Sequence, residues 1–224
     1  MAFKFVEFPP ASEADDDGLL AVGGSLSPDY LISAYSQGVF PWFSDDGVPF
    51  WFSLDPRMVL KIEDFRLSKS LGRVVKSGRF EVRIDTCFRD VMLGCASADV
   101  RASADGTWIT DDFVEGYTRM HELGLAHSFE TFQDGKLVGG LYGLSFGAMF
   151  SGESMFHRVT DASKVAFVEL VAFCRRNGIR FIDAQQPTSH LASLGATPVP
   201  RTEFLEMLNA AVKEKTLAGL WTNM

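Results

Sequence analysis

At 224 residues, with 46% hydrophobic side chains and 20 phenylalanines, the chain can bury a sizeable core and is too apolar to be disordered. A net charge of −8 and an odd count of three cysteines (Cys87, Cys95, Cys174) exclude a wholly basic chain and argue against a disulfide framework, and they suit a reducing cytoplasm. The stretch from Met1 to Glu7 lacks the layout of a signal peptide, and the uncharged run from Leu137 to Gly152 is 16 residues with five glycines, short of the ~20 apolar residues of a membrane span.

In chain order, Ser27-Pro28 predicts a helix start, with the serine hydroxyl as cap, a stripe of Leu31, Ala34 and Tyr35, and Gly38 as stop. Val39 to Ser44 and Pro49 to Ser53 flank Asp45-Asp46-Gly47 and predict an aromatic hairpin. Asp55-Pro56-Arg57 marks a boundary, because composition changes there from acidic and aromatic to basic; residues 1–57 form a small N-terminal domain and 58–224 a second. Met58 to Leu60 and Phe80 to Ile84 predict strands around a basic helix near Ser68 to Lys76. Phe88, Val91, Met92 and Cys95 predict a short helix, followed by a polar loop to Gly106-Thr107-Trp108-Ile109. Thr110 caps a helix with Phe113, Tyr117 and Met120 on one face and Gly124 at its end. Asp134-Gly135 between Ser128–Phe132 and Lys136–Tyr142 is a strong hairpin signal, and Ala148 to Met155 continues the sheet. A helix from Asp161 to Arg176, a buried strand at Phe181-Ile182 and a helix from Thr202 complete an α+β or α/β pattern of the kind transferases use.

Charge is distributed unevenly. Residues 1–56 hold one lysine against nine acids, residues 57–89 nine basic residues against four acids, and residues 90–224 eleven against sixteen. The basic block includes Lys69, Arg73 and Lys76. A positive patch on an acidic protein can anchor one polyanion without general stickiness, although a solvated helix face is an equally good reading of the charges alone.

The chemistry concentrates in Gly152-Glu153-Ser154-Met155-Phe156 and, about thirty residues later, Asp183-Ala184-Gln185. Carboxylates and an amide beside Phe, Met and Gly, with no nucleophile or metal spacing, suit a site that holds an apolar group next to a cation. Such a site fits a transferase whose donor arrives already activated. Three other motifs are decoys. Gly143-Leu144-Ser145-Phe146-Gly147 spells a nucleophile elbow, but strand-like Ala148-Met149-Phe150 follows where a helix is required. His121-Glu122-Leu123-Gly124 begins like a zinc-protease helix that Gly124 breaks, and His127, His157 and His190 add no metal spacing. His157-Arg158-Val159-Thr160-Asp161 lacks the glycine-rich turn that would cradle the pyrophosphate of CoA.

Taken together, the motifs resemble those of the bacterial leucyl/phenylalanyl-tRNA–protein transferases. The resemblance is carried by Gly23-Gly24-Ser25-Leu26-Ser27-Pro28, Ala34 to Phe43, Asp55-Pro56-Arg57, Gly106 to Thr110 and His121 to Gly124. It continues through Gly152 to Phe156, Ala162-Ser163-Lys164, Asp183-Ala184-Gln185 and Ala192 to Ala196, so it spans nearly the whole chain. It implies a small N-terminal domain joined to an acetyltransferase-like (GNAT-like) mixed-sheet domain. The implied activity moves Leu, Phe or Met from aminoacyl-tRNA to the N-terminal Arg or Lys of a protein, marking that protein for degradation, with no cofactor, metal or membrane.

The resemblance also implies roles. Trp42 and Trp108 match the pair that stacks on the terminal adenosine, the lesser alternative without it being two buried core aromatics. Leu141, Phe150, Met155, Phe167 and Ile182 match the pocket for the donor side chain, where a flexible Met helps accept several shapes. Lys69, Arg73 and Lys76 match the cluster that holds the acceptor stem. Glu153, Asp183 and Gln185 match the catalytic and acceptor-binding set, with carboxylates for a cationic acceptor and Asp183 orienting the Gln185 amide. Ala184 departs from the family pattern, in which many members carry Cys, so an acyl-enzyme is not expected. A CoA-dependent acyltransferase and a noncatalytic binder of tRNA or basic N-termini remain as alternatives.

Overall fold

The computed structural model describes residues 3–45, 47–102 and 107–223; Asp46 of the expected turn and Gly106 lie outside them. The chain runs β1 (Leu19–Val22), α1 (Pro28–Ser36), β2 (Phe40–Asp45), β3 (Val48–Phe52), β4 (Arg57–Lys61), α2 (Lys69–Lys76) and β5 (Glu81–Ile84). It continues through α3 (Phe88–Ala102), α4 (Asp111–Glu122), β6 (Ala126–Gln133), β7 (Lys136–Phe146), β8 (Met149–His157) and α5 (Ala162–Arg176). The last elements are β9 (Phe181–Gln185), α6 (Ser189–Ser193), β10 (Thr197–Val199) and α7 (Arg201–Ala211).

The strands form two sheets. A three-stranded one has the order β1-β3-β2, and a seven-stranded one has the order β10-β4-β9-β8-β7-β6-β5. Every neighbouring pair is antiparallel except β8 and β9, which are parallel and joined through α5. Strand alternation divides the core across the large sheet. Tyr142 and Leu144 join an apolar cluster with residues of α3, α4 and the small sheet, whereas Leu141 joins a second cluster with α5 and Trp221. The small sheet therefore shares a core with the large one: Phe40, Trp51 and Phe52 belong to the same cluster as Phe113, Tyr142 and Phe204. Among the described residues, no helix is long and apolar enough to cross a membrane.

Local signals account for most helix limits. Pro28 stands in the first turn of α1, and Ser68 caps α2 by accepting the Leu71 amide at 3.2 Å. Ser27 and Thr110 occupy N-cap positions without a side-chain capping bond, so the hydroxyl caps expected at both do not form, and α1 starts on backbone geometry and proline alone. The helix expected to end near Cys95 runs to Ala102, because Ala96, Ala98 and Ala102 are strong helix formers that a polar-loop reading undervalues. The short β1, α6 and β10 carry too few residues to give a periodic signal in the sequence.

Candidate active site

Three irregularities in strand pairing converge on one place. In the β7–β8 ladder Tyr142 opposes Ser154 and Gly143 opposes Gly152, so Glu153 is the extra residue of a bulge. In the β4–β9 ladder Met58 opposes Gln185 and Val59 opposes Asp183, which leaves Ala184 unpaired. In the small sheet the β2–β3 register shifts between Pro41 and Ser44, the interval that holds Trp42. Bulges re-aim side chains and end pairing. The β8–β9 ladder likewise stops at Ser151 and Asp183, while β8 continues to His157.

Where β8 and β9 stop pairing, a cavity of about 380 Å³ opens, a size suited to a small ligand group. Its lining includes the apolar side chains of Leu141, Met155, Phe167, Leu170 and Ile182. The same cavity is lined by Glu153 and Gln185 and by Phe40, Trp42 and Trp108. Both tryptophans are partly exposed and set edge-on against a phenylalanine, Trp42 on Phe52 at 5.4 Å and Trp108 on Phe113 at 5.3 Å.

Phe150 does not line this cavity. It opposes Ile182 in the part of β8 that is still paired with β9, is fully buried, and packs toward Trp221 at 6.0 Å. Gly143 makes that packing possible: a Cβ there would strike the Phe150 ring and the Ser151 carbonyl.

Glu153 is surrounded by neutral donors. Its carboxylate accepts from Ser151 Oγ at 2.9 Å, Gln185 Nε2 at 3.3 Å and the Tyr117 hydroxyl at 3.2 Å; the Tyr117 and Tyr35 hydroxyls are 2.5 Å apart. Burial pushes the Glu153 carboxyl up to about 7, against the opposing pull of the hydroxyls and with a further upward push from the Asp183 charge. Burial, and then the Glu153 charge, hold both tyrosines well above the ordinary phenol range.

Asp183 sits behind the cavity, 1% exposed, and does not line it. Both its oxygens accept from the Arg57 guanidinium, Nε at 2.8 Å and Nη2 at 2.7 Å. The expected meeting of Asp183 with a cationic acceptor is thus replaced by a buried internal pair. The link to Gln185 also differs from expectation: Asp183 Oδ1 accepts the backbone N–H of Gln185 at 3.0 Å, while the side-chain amide donates to Ser151 Oγ at 2.8 Å and to Glu153. Gln185 has φ = 52°, left-handed for a non-glycine residue. With its NH2 engaged, the amide carbonyl oxygen is the acceptor left for a ligand.

Lys69, Arg73 and Lys76 are exposed on one face of α2, at the i, i+4, i+7 spacing. None of the three is in an ion pair among the described residues. α2 packs against α5, the helix that supplies Phe167 and Leu170 to the cavity. Ser145 is buried within β7, as a sheet residue and not a nucleophile. His121 stacks on Phe88 at 4.4 Å; His127 bonds Asp85 at 2.9 Å and stacks on Trp221, which keeps both in the core. Among the described residues, no group of three or more His, Cys, Asp or Glu could hold a metal ion.

Sequence reasoning passed over Ser151, Tyr35, Tyr117 and Arg57 as parts of the site. Ser151 adjoins the Gly152-Glu153 motif, which is a signal a closer reading could use; the tyrosines read as helix-face residues. Arg57 lies 126 positions from Asp183, and no local signal connects them.

Comparison with known proteins agrees along the chain. Residues 59–209 match the model of the leucyl/phenylalanyl-tRNA protein transferase family, and residues 24–55 match that of its N-terminal domain. A leucyl/phenylalanyl-tRNA–protein transferase of Dechloromonas aromatica is 52% identical over 217 residues, covering 96% of this chain and 92% of the relative. One from Solidesulfovibrio magneticus is 51% identical over 214 residues, covering 96% and 86%. Among solved structures, the chain is similar to L-PGS from Bacillus licheniformis, 11% identical with a TM-score of 0.44, covering 77% of this chain and 54% of that one. It is also similar to a GCN5-related N-acetyltransferase-like protein from Streptococcus suis, 17% identical with a TM-score of 0.39, covering 76% and 63%. At that level of likeness, the fold rests on the strand order described above.

Proposed function

Since the chain belongs to the leucyl/phenylalanyl-tRNA protein transferase family, we propose that it moves Leu, Phe or Met from aminoacyl-tRNA to the N-terminal Arg or Lys of an acceptor protein, marking it for N-degron degradation. The observation that carries the proposal is a single cavity joining Leu141, Met155, Phe167 and Ile182 to Glu153 and Gln185, with Trp42 and Trp108 also lining it. In this reading the apolar lining takes the donor side chain, the tryptophans stack on the terminal adenosine, and α2 holds the acceptor stem through Lys69, Arg73 and Lys76. Residues 1–57 act as the small domain that brings Trp42 to the cavity of residues 58–224.

The reaction asks little of the protein. The aminoacyl ester is already activated, and an α-amine with a pKa near ~8 is partly neutral at physiological pH. Attack of the amine nitrogen on the ester carbon forms the C–N bond; the ribose oxygen leaves with the electron pair of the broken C–O bond, and the proton lost by nitrogen balances it. Alignment can supply several kcal/mol. Gln185 Oε1 accepts an N–H of the incoming amine and positions it, since a neutral amide is a poor base. Ionised Glu153 attracts the cationic acceptor terminus, and Asp183 acts on the backbone behind Gln185. Three free cysteines suit a cytoplasmic location.

Incubation with labelled Leu-tRNA and a peptide beginning with Arg tests the proposal. Label is expected on the peptide α-amine. Acyl transfer from CoA without tRNA, or binding of both ligands with the ester left intact, overturns it.

A further inference from the structure

The buried Arg57–Asp183 pair has no direct part in the chemistry above. Neither side chain lines the cavity, and each is 1% exposed. A buried ion pair is a weak reason for stability, because apolar side chains of similar volume often serve as well. Here the pair is attached to something specific. Asp183 Oδ1 accepts both Arg57 Nε at 2.8 Å and the Gln185 backbone N–H at 3.0 Å, while Oδ2 accepts Arg57 Nη2 at 2.7 Å. A carboxylate gripped at both oxygens by a planar fork cannot rotate, so it is a fixed acceptor for that amide. The amide belongs to the residue that needs fixing: Gln185 follows the bulge at Ala184 and sits at φ = 52°, a conformation that persists only when its surroundings determine it.

Arg57 is itself located from two sides. Its guanidinium carbon lies 4.6 Å from the Phe40 ring centroid and 4.5 Å from that of Phe204. Its Nη1 reaches the Gly38 carbonyl at 3.4 Å. Phe40 belongs to β2 and, like Trp42, lines the cavity, and Phe204 belongs to α7. The strand that carries Trp42 thus touches the same guanidinium to which Asp183 ties the backbone of Gln185.

We propose that Arg57 is a positioning residue for aminoacyl transfer: through Asp183 it fixes the backbone of Gln185, and with it the place of the Gln185 amide beside Glu153. This rests on the role given to Gln185 above. An Arg57→Lys variant keeps the charge and loses the fork. Its kcat with Leu-tRNA and an Arg-initiated peptide is expected to fall roughly 100-fold, with KM for Leu-tRNA within about twofold of the parent. Hydrogen exchange at the Gln185 amide is expected to accelerate, while protection elsewhere is kept. If Arg57→Lys does not fold, R57M/D183N decides, because it leaves no charge stranded. The same loss of kcat supports the inference, and failure of this second variant to fold overturns it by making the pair a requirement of folding. A folded variant with parental kcat, or one whose loss lies wholly in KM, also overturns it. Exchange needs no substrate, so it separates this inference from the transferase reading. In a chain that transfers nothing, faster Gln185 exchange in Arg57→Lys still supports the anchor, and unchanged exchange overturns it.

Discussion

Glu153 on β8 and Asp183 on β9 are carboxylates on neighbouring strands, the first in a bulge and the second beside one, yet their surroundings differ in kind. Asp183 faces a guanidinium that engages both oxygens, whereas the donors to Glu153 are a serine, a glutamine and a tyrosine, all neutral. A charge whose partner is another charge is committed to the fold. Burial pushes the Glu153 carboxyl up to about 7, because neutral donors offset desolvation only in part, and leaves it available to an incoming cation. Two acidic side chains therefore stand in one site in different ways, one bonded to backbone behind the cavity and the other lining it.

That contrast breaks most visibly at Asp183. Asp183→Ala strands Arg57 in a buried position, and such a loss is expected to cost about 3–5 kcal/mol of folding stability; equilibrium denaturation measures it, and an unchanged midpoint would mean that the pair is not what holds β9. The donor side of the cavity comes next. Trp42→Ala and Trp108→Ala should each remove ~1–3 kcal/mol of adenosine stacking, read as a raised KM for aminoacyl-tRNA and for short aminoacyl-adenosine donors alike in a folded protein. Parental kinetics with the short donors would place the stacking elsewhere.

Glu153→Gln sharpens the other half. The folded pKa of Glu153 lies above the ordinary carboxylate value, so the folded state binds the extra proton. Stability is then fully present below the unfolded pKa and declines as pH rises to about 7. The glutamine variant escapes that decline: it should match the parent near pH 4 and exceed it by about 3 kcal/mol at pH 8, a shift of roughly 6–12 °C in melting temperature. Parental transfer should rise through pH 7 as Glu153 ionises, and the variant should lose that limb. Identical pH profiles would remove Glu153 from acceptor binding.

The smallest effect is remote from both strands. Neutralising Lys69, Arg73 and Lys76 together should flatten the salt dependence of tRNA use by about 0.7–0.9 for each phosphate no longer neutralised, and leave a minimal 3′ fragment unaffected. Equal losses with both donors would separate α2 from the acceptor stem.

Much of this was legible from short-range patterns. Asp134-Gly135 located the β6–β7 hairpin, the stripe of Phe113, Tyr117 and Met120 located α4, and the two motifs at Glu153 and Gln185 located the polar lining of the cavity. Phe150 shows where pattern stops: it is as apolar as Met155 and alternates on the same strand, but it lies before the point where β8 and β9 separate. Asp183 shows the same limit in electrostatics, since its partner comes from a strand 126 residues earlier.

The sequence by itself determined most of the longer helices and strands, because capping residues, glycines and apolar periodicity act within a few residues of one another. It also pointed to part of the chemical inventory of the site, namely apolar side chains, two tryptophans, two carboxylates and an amide, but not to Ser151, Tyr35, Tyr117 or Arg57. Only the tertiary structure decided which of these face the cavity. Strand bulges at Glu153 and Ala184, the end of β8–β9 pairing and the clamp on Arg57 are set by neighbours distant in the chain, and side-chain direction and proton affinity follow from those neighbours and not from residue identity.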